Sequence, residues 1–232
     1  LSRTGLAALL ALAGCAAPGP VSPGPPALVD AAALEPSLLV VAAYATADNF
    51  TGAAVPGYEA RKCLLTEPAA RALQAVQRRL RPRGLGLKLF DCYRPARAVR
   101  YFAGEWLRSP DTSGRAAHYP AFTNKQALFD QGFISADSRH ARGSTVDLTL
   151  VRLAADAQGR AGSELEMGTS FDYFGPEATW AANPGLPARV RANRERLREA
   201  MAPEFAPYAA EWWHFRLAAD PYDGPMLETP VR

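Results

Sequence analysis

The chain has 232 residues, 48% of them hydrophobic, which is enough apolar material for one well-buried domain. Its formal net charge is only +3 and its arginines are scattered, so the composition excludes a nucleic-acid partner and reads as a solvated, mildly basic surface. With only three histidines and three cysteines, each of these residues has to be placed.

The first fifteen residues, LSRTGLAALLALAGC, hold a basic residue at Arg3, an apolar run from Leu6 to Ala13, and small residues before Cys15. The run is shorter than the roughly 20 residues of a bilayer span and has the size of a signal-peptide core. Leu12 to Cys15, LAGC, resembles the lipobox of bacterial lipoproteins, which implies cleavage before Cys15, acylation of its thiol and a place in the cell envelope. The following AAPGPVSPGPPA is too rich in proline and glycine to build a core. The expected organisation is a signal peptide over 1–14, a lipidated tether over 15–36 and a catalytic domain over 37–232. Export leaves Cys63 and Cys92 as an even pair in an oxidising compartment, where they either bridge or stand as two buried thiols.

Along the domain, Ser37–Thr46 predicts a strand. Thr66–Leu80 predicts a helix, with Thr66 as its N-cap, Pro68 in the first turn and an apolar stripe of Leu73, Val76 and Leu80. Leu85–Tyr93 reads as a strand and the segment after it, from Arg94, as a helix with Ala98, Phe102 and Trp106 on one face. Asp111–Asn124 is polar and irregular. Ser144–Leu153 is a strand, Ala188–Met201 a highly charged helix, and Glu211–Leu217 a late strand. Helices and strands mix without a βαβ rhythm, so the fold class is α+β, helices packed on a small antiparallel sheet.

Chemistry concentrates in two stretches. In SRHARGSTVDLTL, His140 stands in a Gly/Ser/Arg loop seven residues before Asp147; in EWWHF, Glu211 stands three residues before His214. A loop histidine, an isolated ExxH and a tryptophan pair near a chain end are each commonly structural. Together they use two of the three histidines. His140, Asp147 and His214 supply two imidazoles and one carboxylate, the donor set of a catalytic zinc with a position left open for water. Three-residue spacing puts Glu211 and His214 on opposite faces of a regular strand, so joint service requires a turn between them, with Trp212 and Trp213 anchoring it. Arg94, between a strand and a proline-started helix, can project a guanidinium that stabilises an oxyanion, or pair with Asp91 or Glu105 on a helix surface. His118, in AAHYP, has no acidic or cysteine neighbour at a useful spacing and reads as a loop residue.

Taken in order, ATADNFTG, GYEA, LFDCYRPARAV, SRHARGSTVDLTL, MGTSFDYFG and EWWHF resemble the zinc D-alanyl-D-alanine dipeptidases, over roughly Ser37 to Arg232. The resemblance implies one zinc ion per chain on His140, Asp147 and His214. It also implies Glu211 as general base and acid, Arg94 as the group polarising the scissile carbonyl, and Ser138 and Asp172 as partners of the substrate's free amine. The site is expected at the sheet face. Two residues depart from the usual pattern: Thr145 replaces a small alanine and Cys92 a small residue before the tyrosine. The expected substrate is D-Ala-D-Ala, and the expected contacts are that dipeptide and a membrane through Cys15. Two alternatives are a D,D-carboxypeptidase acting on peptidoglycan stem peptides and a non-catalytic wall-peptide-binding lipoprotein.

Overall fold

A computed structural model describes residues 24–153, 161–180 and 185–232; the leader and Cys15 lie outside the described residues. The first described strand lies inside the segment expected to be tether. Strand β1 (Leu28–Asp30) pairs antiparallel with β3 (Leu64–Thr66), and helix α1 (Ala31–Leu34) follows it directly. Asp30 caps α1 by accepting the Ala32 N–H, and buried Ala31 donates its N–H to the Cys63 carbonyl. Proline density predicts extended chain only as far as the prolines reach; LVDAAAL behind them has apolar residues to bury and backbone groups to pair.

The main sheet has six strands, ordered β2 (Leu39–Val40), β4 (Leu85–Asp91), β5 (Thr145–Leu153), β8 (His214–Leu217) and β7 (Phe205–Pro207), with β6 (Ala161–Glu164) also on β5. Among the described residues, β2–β4 is the only parallel pair of this sheet. The strand expected over Ser37–Thr46 shrinks to those two residues because Ala42 turns left-handed (φ 48°) and Ala43–Ala45 wind into a 3-10 turn. That turn carries Tyr44 inward.

Helix α2 (Glu67–Leu80) lays Leu73, Val76 and Leu80 into the core, each worth about 1.5–3 kcal/mol of burial. Helix α6 (Ala188–Met201) adds Leu197 and Met201 to the same cluster, with Leu87, Leu89, Val146, Leu148, Leu150 and Phe215 from the sheet. Thr66 precedes α2 but its hydroxyl does not cap it. The hydroxyl pairs instead with Ser144 Oγ at 2.8 Å, and the Thr66 N–H donates to the Gly143 carbonyl. The residue expected as a cap therefore fixes the loop behind His140.

After β4, helix α3 (Ala96–Tyr101) runs into a π-helical turn, Phe102–Trp106, keeping Ala98, Phe102 and Trp106 buried together. The polar Asp111–Asn124 stretch holds one short helix, α4 (Arg115–His118); α5 (Gln126–Asp130) follows. A second, aromatic cluster gathers Tyr44, Phe50, Phe102, Trp106, Tyr119 and Phe174. Cys63 and Cys92 are bridged, tying the entry of β3 to the exit of β4.

Candidate active site

Register assembles the site. Asp91, the last residue of β4, pairs with Asp147 of β5, and Asp147 pairs with His214, the first residue of β8, so three adjacent strands set three polar residues in a row. A bulge between Leu89 and Asp91 delivers Asp91 to that row. The late strand begins only at His214. Before it the chain turns, the Glu211 N–H reaching the Tyr208 carbonyl and the His214 N–H the Glu211 carbonyl, which supplies the bend that Glu211 and His214 require. Trp212 and Trp213 are buried beneath the turn, Trp212 Nε1 donating to Thr169 Oγ1 and Trp180 Nε1 to the Glu211 carbonyl.

His140 sits on a 3-10 turn, Arg139–Arg142, closed by Gly143 at φ 83°. That left-handed conformation is what calls for glycine; a Cβ there would also press on the Leu28 methyl at 2.7 Å, which the flexible side chain can move aside to relieve. His140 Nδ1 donates to the Cys92 carbonyl at 2.7 Å, which assigns the proton to Nδ1 and leaves Nε2 free to act as a donor atom. The Cys63–Cys92 bridge steadies that carbonyl.

His140 Nε2 lies 3.3 Å from His214 Nδ1 and 3.3 Å from Asp147 Oδ2, and His214 Nδ1 lies 3.1 Å from Asp147 Oδ1. Zinc–ligand bonds of about 2.0–2.1 Å at tetrahedral angles separate neighbouring donors by roughly 3.3 Å, so the spacing suits a shared ion. Asp147 is buried and its Oδ1 has no hydrogen-bond partner, an arrangement a metal would complete. Among the described residues these three form the one such His/Asp/Glu/Cys group, with ligand atoms all within 4.8 Å. Burial alone would raise the Asp147 pKa, but the two imidazoles outweigh it and hold the carboxyl well below the usual range.

Glu211 is buried, with Oε2 3.5 Å from His214 Nδ1. Burial first, then the charges of Asp147 and Asp172, push its carboxyl well above the usual range. Burial also lowers the His214 pKa, keeping that imidazole neutral as a ligand must be.

Arg94 does pair with Asp91, through Nε at 3.0 Å and Nη2 at 2.9 Å, yet it is not a surface residue. Its side chain is 12% exposed, its Nη2 stands 3.8 Å from Asp147 Oδ2, and its guanidinium lies over the Tyr44 and Phe102 rings at 4.9 and 5.4 Å. Asp91 is held in turn by the Tyr58 hydroxyl at 2.7 Å. Asp172 is left-handed (φ 56°) and its carboxyl accepts the Tyr44 hydroxyl at 2.8 Å. Burial, then Asp147, push its pKa well up. The buried Arg194 of α6 donates to the Glu177, Met167 and Thr179 carbonyls and so pins the loop that carries Asp172.

His140, Asp147, His214, Glu211, Arg94, Ser138 and Asp172 therefore line one cavity of about 240 Å³. Sequence reasoning named Asp91 as a possible partner of Arg94 but missed Tyr44, Tyr58 and His118 as supports. His118 is half-buried, and its Nδ1 lies 3.2 Å from the Asp172 carbonyl, bracing the strained residue. Nothing in AAHYP announces that contact, which spans 54 positions. Tyr44 immediately precedes the ATADNFTG motif, the one available signal.

Residues 26–232 match a peptidase M15 family model described as D-Ala-D-Ala dipeptidase. The chain is 40% identical to a D-alanyl-D-alanine dipeptidase of Streptomyces coelicolor over 82% of its own length and 91% of the relative's. It is 36% identical to one of Enterococcus faecium with the same coverage, and 33% identical to one of Escherichia coli over 82% and 84%.

Proposed function

The chain belongs to the M15 family of D-Ala-D-Ala dipeptidases, and on that premise we propose that it hydrolyses D-Ala-D-Ala with one zinc ion held by His140, Asp147 and His214. One water is consumed and two molecules of D-alanine are released. The observation that carries this reading is the convergence of those three donor atoms beside the buried Glu211 carboxyl.

Bound there, zinc supplies a Lewis acid toward the scissile carbonyl. Arg94, charged and locked by Asp91, presents N–H donors to the same oxygen as negative charge develops, a role worth about 3 kcal/mol. Glu211 takes a proton from the attacking water and delivers it to the leaving amine. Its raised pKa suits both halves of that shuttle. Asp172, backed by Tyr44 and His118, receives the substrate's ammonium, with Ser138 at the same wall. An acylated amine has no charge for Asp172 to pair, so free dipeptides are favoured over stem peptides.

A panel of D-Ala-D-Ala, N-acetyl-D-Ala-D-Ala and L-Ala-L-Ala, assayed with zinc and with chelator, tests this. Zinc-dependent cleavage of the first alone is expected. Faster cleavage of the acetylated peptide would make the protein a carboxypeptidase, and binding without products would make it a wall-peptide-binding protein.

We also propose that the chain is exported and anchored in the cell envelope through acylated Cys15. The order of Arg3, the apolar run and LAGC supports this, and a Cys63–Cys92 bridge belongs in an oxidising compartment. Mass analysis of the mature N-terminal peptide should find a lipid on Cys15, and Cys15→Ala should move the protein to the soluble fraction.

A further inference from the structure

A free dipeptide carries a carboxylate as well as an ammonium, and the groups assigned so far bind only the ammonium and the reacting carbonyl. The charged residues lining the cavity are Asp137, Asp147, Asp172 and Glu211 on the acidic side, and on the basic side two arginines, Arg94 and Arg139. Arg94 is committed to Asp91 and Asp147 and wedged against two aromatic rings. Arg139 is held differently. Its side chain is 48% exposed and its ion-pair partner among the described residues is Asp223, whose side chain is 81% exposed.

Water screens an ion pair this exposed, so an incoming carboxylate can displace Asp223 at little cost. Asp223 would not be stranded, because Arg142 and Arg216 also act on it. The support beneath Arg139 is rigid, since it begins the turn whose next residue, His140, is fixed to the Cys92 carbonyl. We infer that Arg139 is the specificity-determining residue for the substrate's C-terminal carboxylate, exchanging its ion pair with Asp223 for a forked pair with the ligand. The inference rests on the proposed dipeptide hydrolysis and names the contact that makes the cavity select a free acid at one end as Asp172 selects a free amine at the other.

The test compares D-Ala-D-Ala with D-alanyl-D-alaninamide on the zinc-loaded full chain. The unaltered protein should favour the acid. Arg139→Gln should raise KM for the acid about tenfold to a hundredfold, the range for losing a charged hydrogen bond, with kcat and the amide's KM little changed. Arg139→Lys should recover part of the loss. Asp223→Asn, which removes the competing carboxylate, should lower KM for the acid. Titrating the same two ligands into Glu211→Gln protein, with and without Arg139→Gln, reads the contrast without turnover. If Arg139→Gln keeps the preference for the acid in both measurements, the assignment is wrong while the dipeptidase stands. If the loaded protein cleaves neither ligand and binds neither, both readings fall.

Discussion

Where α2 and α6 meet the sheet, the packing is aliphatic and periodic: Leu73, Val76, Leu80 and Leu197 against Leu87, Leu89, Leu148 and Leu150. Around the cavity it is aromatic and irregular, with Tyr44, Phe50, Phe102, Trp106 and Phe174 drawn from turns, a π-helical turn and loops. The two halves divide the labour of the site. The periodic half sets the register that lines up Asp91, Asp147 and His214. The aromatic half presents Arg94, Tyr44 and Asp172, residues that would meet the substrate rather than the metal. Changes in the first half should thus act on stability or on the ion, and changes in the second on substrate.

The largest expected effect lies on the row itself. His214→Ala should abolish measurable turnover and lower the zinc content of the purified protein. Glu211→Ala should reduce kcat by about 10²–10⁴ with zinc retained, the usual range for a positioned acid–base group. Full zinc occupancy in the first variant, or undiminished kcat in the second, would break the division between ligand and proton carrier. Leu73→Ala, a buried truncation on α2, should cost about 2–5 kcal/mol in denaturant unfolding and leave KM alone. Tyr44→Phe should do the reverse, raising KM more than it lowers stability, because it strips Asp172 of its hydroxyl partner. If both variants moved the same quantity, the two halves would not be separable.

The smallest expected effect concerns pH in the metal-free protein. The folded pKa of Glu211 is raised above its unfolded value. The stability linked to that proton is fully present below the unfolded pKa and is lost as pH rises toward and through the folded one. Glu211→Gln, which cannot ionise, should therefore gain in melting temperature over the unaltered metal-free protein as pH rises from about 5 to about 8. A constant difference across that range would mean that the carboxyl is not shifted by its surroundings.

The same division explains what the sequence discloses. Helices α2 and α6 and strand β5 are legible because their apolar residues repeat at helical or strand spacing and are buried accordingly. The His140, Asp147, His214 and Glu211 set is legible because those residue types are scarce and stand in short motifs. Strand β2 is overestimated, since nothing in SLLVVAAYAT marks Ala42 as left-handed. The supports Tyr58 and His118 are invisible for a different reason. Each acts through one contact with a residue brought near by the fold, and such a contact leaves no periodic trace. Thr66 shows the same limit: a hydroxyl placed well for one task is taken by another partner, Ser144, across 78 positions.

The alignment of β4, β5 and β8 sets different tolerances at the two ends of the central strand. Side chains alternate along it, so one residue inserted near Val146 would swing the Asp147 carboxylate into the leucine-filled interior and dissolve the donor set at a stroke. Lengthening the chain beyond Arg152, at the opposite end, leaves that alignment untouched. Drift in such proteins should therefore accumulate as loop growth at the far end of the sheet, while the near end stays frozen in length even where its residues change.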